Sequence, residues 1–278
     1  MRVAGLDFSA YQIPPSGSLP DWEVAAASGI RFAIGRRSIG LHDDKTFGKL
    51  IAGARAAGLL CGAYHFATPV VGQGREQAKR ISAEYVDNAS LIFRPTLDME
   101  AANGTTDVEE ARFVEDFCDE VLSQTGYLPI VYTGRFYPRP ALMALDWLAD
   151  CPLWLAQYTG PDTPTYGIPD PWRRLGKRWT MWQWVGDAGR VPGFATAVDR
   201  NWFDAPTVWR DGTGGVRAQW DSPGDGWMAD ESLSADDRMR AWLGLDTRDH
   251  HRPSSDGIVH GGAWVDDLIA QRKLMTDD

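Results

Sequence analysis

Short apolar runs, most of them closing on a polar side chain, recur along the first three quarters of the chain and at first alternate with segments of helical period. Residues 2 to 8 read as a buried strand that carries Asp7 near its C-terminal end, ahead of a turn rich in Pro, Gly and Ser at 14 to 20. Asp21 is an N-cap candidate for a helix over 22 to 28, closed by Gly29. Further strands are expected at 31 to 37, 59 to 66, 94 to 100, 128 to 133, 152 to 158, 179 to 184 and 195 to 199. Helices fall between the earlier ones at about 44 to 57 and 74 to 88, and a Pro-interrupted helix is expected over 135 to 148. The best-marked helix starts at Thr105 or Thr106, where Val108, Ala111, Val114, Phe117, Cys118, Val121 and Leu122 recur at helical spacing with acidic residues between them. The last three strands have no clear long helix between them.

Eight short, mostly apolar strands that begin by alternating with helices predict an α/β fold, a parallel-type barrel covered on its outside. The shortage of late helices makes it an irregular TIM-like (β/α) barrel rather than the regular form. Residues 1 to 206 form this expected barrel. After Pro206 the composition shifts to Gly, Asp and Trp, and residues 207 to 278 read as an acidic, Trp-containing C-terminal extension with two short helices. Ser234 caps the first, through about Leu243, and the second fits 263 to 275, with Trp264, Val265, Leu268, Ile269 and Met275 on one side. No repeat of the kind that builds a wall-binding array is present, and docking on the barrel is the expected role of the extension.

A length of 278 residues suits one such barrel and a small appendage. The net charge of −10 argues against a general nucleic-acid binder, and the extension is its more acidic part, with 8 basic against 14 acidic residues. No apolar run is long enough to span a membrane, and the N-terminal residues lack the h-region of a signal peptide, so membrane insertion is not expected and synthesis in the cytoplasm is. Cys61, Cys118 and Cys151 are far apart among apolar neighbours, which reads as buried free thiols in a reducing compartment. His65, between Tyr64 and Phe66, reads as a hydrogen-bonded barrel residue, and Asp249-His250-His251 as a solvated loop, so no metal site and no cofactor is expected.

Polar residues fall where a barrel keeps its chemistry. Asp7, Tyr64, His65, Asp98, Glu100, Tyr132, Gln157, Gln183 and Asp199 all lie at or near C-terminal ends of expected strands, and in a barrel those ends share the face that holds the active site. Asp98 and Glu100, two positions apart, would stand on one face of an extended strand roughly 6 to 7 Å from each other. Two neighbouring carboxylates make it harder for each other to ionise, which lets them divide acid and base roles.

Several ordered motifs carry a resemblance: Gly5-Leu-Asp-Phe-Ser-Ala-Tyr-Gln12, Tyr64-His-Phe66, Leu97-Asp-Met-Glu100, Val131-Tyr-Thr-Gly134, Leu153-Trp-Leu-Ala-Gln-Tyr158, Met181-Trp-Gln-Trp184 and Val198-Asp-Arg-Asn201. In that order they resemble glycoside hydrolase family 25, the lysozymes or N-acetylmuramidases that include many phage endolysins. The resemblance covers roughly residues 1 to 206. It implies Glu100 as general acid, Asp98 as its partner carboxylate, Asp7 and Asp199 as further acidic residues, and Tyr64, Tyr132, Gln157 and Trp182 in the sugar-contacting wall. Asp98 would orient the substrate's 2-acetamido group or act as a base toward water. The implied partner is bacterial peptidoglycan, cut between N-acetylmuramic acid and N-acetylglucosamine, with a holin releasing the enzyme to the wall in phage-induced lysis. The alternatives are a non-catalytic glycan-binding or virion structural protein and a chitinase-like glycosidase. The last resembles Asp-x-Asp-x-Glu, whose first position is Thr96 here. Two departures from the family pattern are Ile13-Pro-Pro after Gln12 and the extension itself.

Overall fold

The computed structural model describes residues 2–87, 91–135, 137, 139–211, 213, 216–219 and 225–243. The expected helix over 263 to 275 and the Asp249-His250-His251 stretch lie outside the described residues. Contacts divide the chain into a compact unit of Ala4–Phe203 and a second that takes the chain before Ala4 together with the chain from Asp204.

The first unit is a closed eight-stranded barrel. Its strands are β1 (Arg2–Phe8), β2 (Phe32–Ile39), β4 (Leu60–Phe66), β5 (Thr96–Asp98), β6 (Ile130–Gly134), β7 (Leu153–Ala156), β8 (Trp179–Val185) and β9 (Asp199–Asp204). A two-residue strand, β3 (His42–Asp43), hairpins onto β2. The hydrogen-bonded order β1-β9-β8-β7-β6-β5-β4-β2 closes through a β1–β2 pairing. From β1 round to β8 through β2 the neighbours run parallel, whereas β9 is antiparallel to β8.

Aromatic side chains fill the barrel where glycines leave room. Phe32, Phe93 and Phe203 meet at centroid distances of 5.3 and 6.1 Å. A Cβ on Gly5 would stand 2.3 Å from the Phe32 ring, and one on Gly62 would stand 2.7 Å from Phe93. Outside the barrel, α2 (Phe47–Ala56), α3 (Gly74–Asp87) and α4 (Asp107–Thr125) cover the parallel strands, and α1 (Trp22–Ala27) is capped by the Asp21 side chain. Thr106 and Glu109 close a capping box on α4, and Gly126 ends it at φ 75°, a left-handed position that suits glycine. His65 points to this outer layer. Ser38 Oγ lies 2.8 Å from its Nδ1 and Gln77 Oε1 2.9 Å from its Nε2, Phe117 packs on its ring, and burial pulls its pKa down to about 4, so the imidazole is neutral.

The largest differences from the expected elements come late. The eighth strand is Asp199–Asp204 rather than 195 to 199, and it runs backwards. An antiparallel strand needs no crossover helix, which accounts for the one missing between β8 and β9, whereas the parallel pair β7 and β8 is joined by a long crossover over 157 to 178 that contains no helix. The expected helix over 135 to 148 shrinks to α5 (Pro140–Met143), with Pro140 at its first turn, and a 3-10 turn at Asp146–Asp150. In the second unit, β10 (Thr207–Asp211) pairs antiparallel with β11 (Val216–Gln219) and β12 (Trp227–Ala229), a sheet that the Gly- and Asp-rich composition did not suggest. The helix expected from Ser234 is α6 (Ala235–Trp242), with Ser234 and Asp237 forming its capping box.

Candidate active site

Parallel strands deliver their C-terminal ends to one mouth, and because β9 is reversed, its first residue, Asp199, arrives at that same mouth. A cleft of about 170 Å³ opens there, lined by Asp7, Tyr64, Asp98, Glu100, Tyr132 and Asp199 together with Tyr11, Gln12, Arg36, Trp154, Gln183 and Asp187. β5 is only three residues long, so Asp98 is its last residue and Glu100 lies beyond it rather than on the same extended strand. The two carboxyls therefore differ in environment. Asp98 is 6% exposed, with Oδ1 buried and without a hydrogen-bond partner, while Glu100 stands at the exposed rim.

One neutral amide organises the opposite side of the cleft. Gln183 Nε2 donates to Asp7 Oδ2 at 2.9 Å and to Asp199 Oδ2 at 3.1 Å. Its Oε1 accepts from Tyr132 Oη at 2.8 Å and from Tyr158 Oη at 2.9 Å. Asn201 Nδ2 adds a second donor to Asp7 Oδ2 at 2.7 Å and has its own Oδ1 held by Trp154 Nε1 at 2.8 Å. The Asp187 N–H donates to Asp199 Oδ1 at 2.8 Å. Two acids, two phenols and two amides thus form one network whose donors and acceptors match, the condition under which buried polar groups rigidify a site.

All four carboxyls are shifted toward the protonated form. Burial, then the charge of Asp199, drives Asp7 well above the carboxylate range despite its two amide donors. Burial, then Glu100 and Asp7, does the same to Asp98, with Arg36 opposing. Burial lifts Asp199 to about 6. Glu100 is raised as well, since the cleft wall strips water from its inner side and Asp199 and Asp187 repel its charge. Tyr64, half-buried, and Tyr132, buried, lose water beside these acids, are pushed well above their ordinary range and remain neutral hydroxyls.

Two of the expected wall residues stand elsewhere. Trp182 is fully buried and its Nε1 donates to the Gln157 carbonyl at 2.8 Å, because neighbours along a strand face opposite ways and Gln183 takes the cleft side. Gln157 lies one residue past β7 and pins the following loop, donating to Gly167 O at 3.0 Å and accepting from the Tyr166 N–H at 3.0 Å. The residues not singled out beforehand are Arg36, Tyr158, Asp187, Asn201 and the hub role of Gln183. For Asn201 a signal existed in its period-2 relation to Asp199 and Phe203, the alternation of a half-buried antiparallel strand. Among the described residues no three His, Cys, Asp or Glu side chains converge as metal ligands. No helix among them is long and apolar enough to cross a membrane.

The family model for Glycosyl hydrolases family 25 matches residues 6–194, which include Asp7, Asp98 and Glu100. Lysozyme M1 of Streptomyces globisporus is 28% identical over 216 residues, 73% of this chain and 68% of that protein. The structure of a muramidase from Trichobolus zukalii aligns with a TM-score of 0.59 and 27% identity, over 73% of this chain and 93% of the other. The family GH25 lysozyme from Aspergillus fumigatus gives 0.59 and 26%, over 74% and 95%. With the match spanning most of the barrel and its acidic motifs gathered at one mouth, the chain belongs to glycosyl hydrolases family 25.

Proposed function

We propose that this chain is a peptidoglycan hydrolase that cleaves the β-1,4 bond between N-acetylmuramic acid and N-acetylglucosamine. The observation that carries the reading is the cleft itself, where four carboxyls of graded burial face one another at the C-terminal mouth of a barrel. Glycoside cleavage needs a proton for the leaving oxygen and negative charge beside the developing oxocarbenium ion. Glu100 is the acid in this scheme, because its raised pKa keeps a proton available and its place at the rim lets solvent restore it. Asp98 orients the 2-acetamido group for internal attack through its unpartnered Oδ1. Asp199, which titrates at about 6, supplies the negative potential, Asp7 is held beside it by Gln183 as a hydrogen-bonding acid, and Tyr64 and Tyr132 offer neutral hydroxyls to the sugar.

The lysozyme and muramidase relatives support the same substrate. Catalysis is assigned to the barrel of residues 1 to 206, and no role is assigned to residues 207 to 278. Three buried free thiols suit synthesis in a reducing compartment, the setting of an enzyme that a holin releases to the wall. The test is release of reducing ends from purified peptidoglycan, with mass spectrometry of the soluble fragments. Wild type is expected to expose new muramic-acid reducing ends, and Glu100→Gln to lose roughly 10²- to 10⁴-fold in rate, the range of a general acid. Equal release by the folded variant would remove Glu100 from the acid role, and no release by wild type would favour a glycan-binding protein.

A further inference from the structure

The charges on the cleft wall are lopsided. Asp7, Asp98, Glu100, Asp187 and Asp199 face it, against one cationic side chain among the described lining residues, Arg36. Arg36 lies on β2 beside Tyr64 of β4, and Ile34, two residues earlier, pairs with Asp7. Its guanidinium is braced from behind. Nε and Nη2 both reach Asp44 Oδ2 at 3.1 Å, and Asp44 is itself held by the Thr46 N–H at 2.9 Å, Thr46 Oγ1 at 2.6 Å and the Ala10 N–H at 3.3 Å. The Tyr11 ring covers the guanidinium at 5.5 Å. The third nitrogen, Nη1, makes no hydrogen bond among the described residues.

A braced guanidinium with a spare donor is a fixed reading head for an oxygen acceptor. In a cleft lined by five carboxyls and one guanidinium, the guanidinium is the position that attracts a substrate group of negative polarity. The two sugars of peptidoglycan differ in one such group. Muramic acid carries a 3-O-lactyl acyl group, a carboxylate in bare glycan and a carbonyl once peptide is attached, where glucosamine has a hydroxyl. We propose that Arg36 is the residue that distinguishes muramic acid from glucosamine, donating an Nη1 hydrogen bond to the lactyl acyl oxygen. This rests on the muramidase reading and adds to it the basis of preference for peptidoglycan over chitin-type glycans.

The experiment measures binding by Glu100→Gln protein, so that ligand is held without turnover. The two ligands are a peptide-free tetrasaccharide of alternating N-acetylglucosamine and N-acetylmuramic acid, and chitotetraose. The parent is expected to prefer the muramyl ligand by about tenfold, the worth of one charge-assisted hydrogen bond on a guanidinium already shared with Asp44. Adding Arg36→Gln is expected to bring the ratio of dissociation constants near one. Arg36→Lys keeps the charge opposite Asp44 and guards against a folding failure, yet its point charge lacks the fork and should lose most of the preference too. A preference that survives in both folded variants overturns the proposal. So does equal weakening toward both ligands, which would mean that Arg36 only balances the carboxyl charges. Failure of wild type to release muramic-acid reducing ends is read separately and removes the muramidase reading together with this one.

Discussion

At Gln183 one uncharged side chain holds Asp7, Asp199, Tyr132 and Tyr158 at hydrogen-bond distance, and every bond it makes lands on a group that faces the cleft or supports it. The acids themselves were legible in the sequence by type and by their strand-end positions. The amide was less so, because in Met181-Trp-Gln-Trp184 the tryptophans look like the sugar contacts until the alternation of the strand is fixed by its neighbours. Titration gives a test at this scale. Unfolded, an aspartate titrates near 3.9, whereas Asp199 in the fold does so at about 6, so the native state holds more proton between those values. Its contribution to stability is greatest below about pH 4 and is lost as pH rises through 6. His65, depressed to about 4, works in the opposite sense over much of the same window. The quantity to measure is therefore the difference in melting temperature between wild type and Asp199→Asn from pH 4 to 7. The variant is expected to gain on wild type as pH rises, whatever its absolute stability after Gln183 loses an acceptor, and a pH-independent difference would refute the assignment.

Strands and helices with strong local signals came out close to their expected bounds. α4 has a capping box, a helical stripe and a terminal glycine, and all three agree with its packing. β9 was misplaced because Ala195 to Val198 reads as a small apolar strand, while the residues that pair with β8 alternate between the barrel side and the outside. Parallel or antiparallel direction is set by which neighbour a strand finds, and no local pattern states it outright. The same dependence on neighbours governs the glycines. Gly5→Ala places a methyl 2.3 Å from the Phe32 ring, and overpacking of this kind costs about 1–3 kcal/mol. Gly48→Ala, in α2 with open space around the new methyl, should instead gain up to about 1 kcal/mol from helix propensity. Urea unfolding of the pair is expected to move the midpoints in opposite directions, and a shared direction would mean that the barrel interior has slack the packing does not show.

For the molecule as a whole, the barrel class is legible in the number of apolar runs and in the polar groups at their C-terminal ends. The extension stayed opaque, since Gly- and Asp-rich segments state turns well and pairings poorly. Every cleft residue and all barrel strands lie before residue 206, so a chain ending there is expected to unfold cooperatively and to release muramic-acid reducing ends from soluble glycan at a rate close to that of the full chain. Loss of either property would make the extension part of the folding unit. The reversed last strand has one more consequence. Because β1 starts and β9 finishes at the barrel end away from the cleft, and the two are adjacent in the sheet, the polypeptide enters and leaves this barrel at neighbouring points. In a regular barrel an eighth helix brings the chain back to its starting rim, whereas here the reversed strand does so within the sheet itself. Here a short linker is enough to join the two ends, which makes the barrel a ring that circular permutation can reopen at any exposed loop without drawing the linker past the substrate.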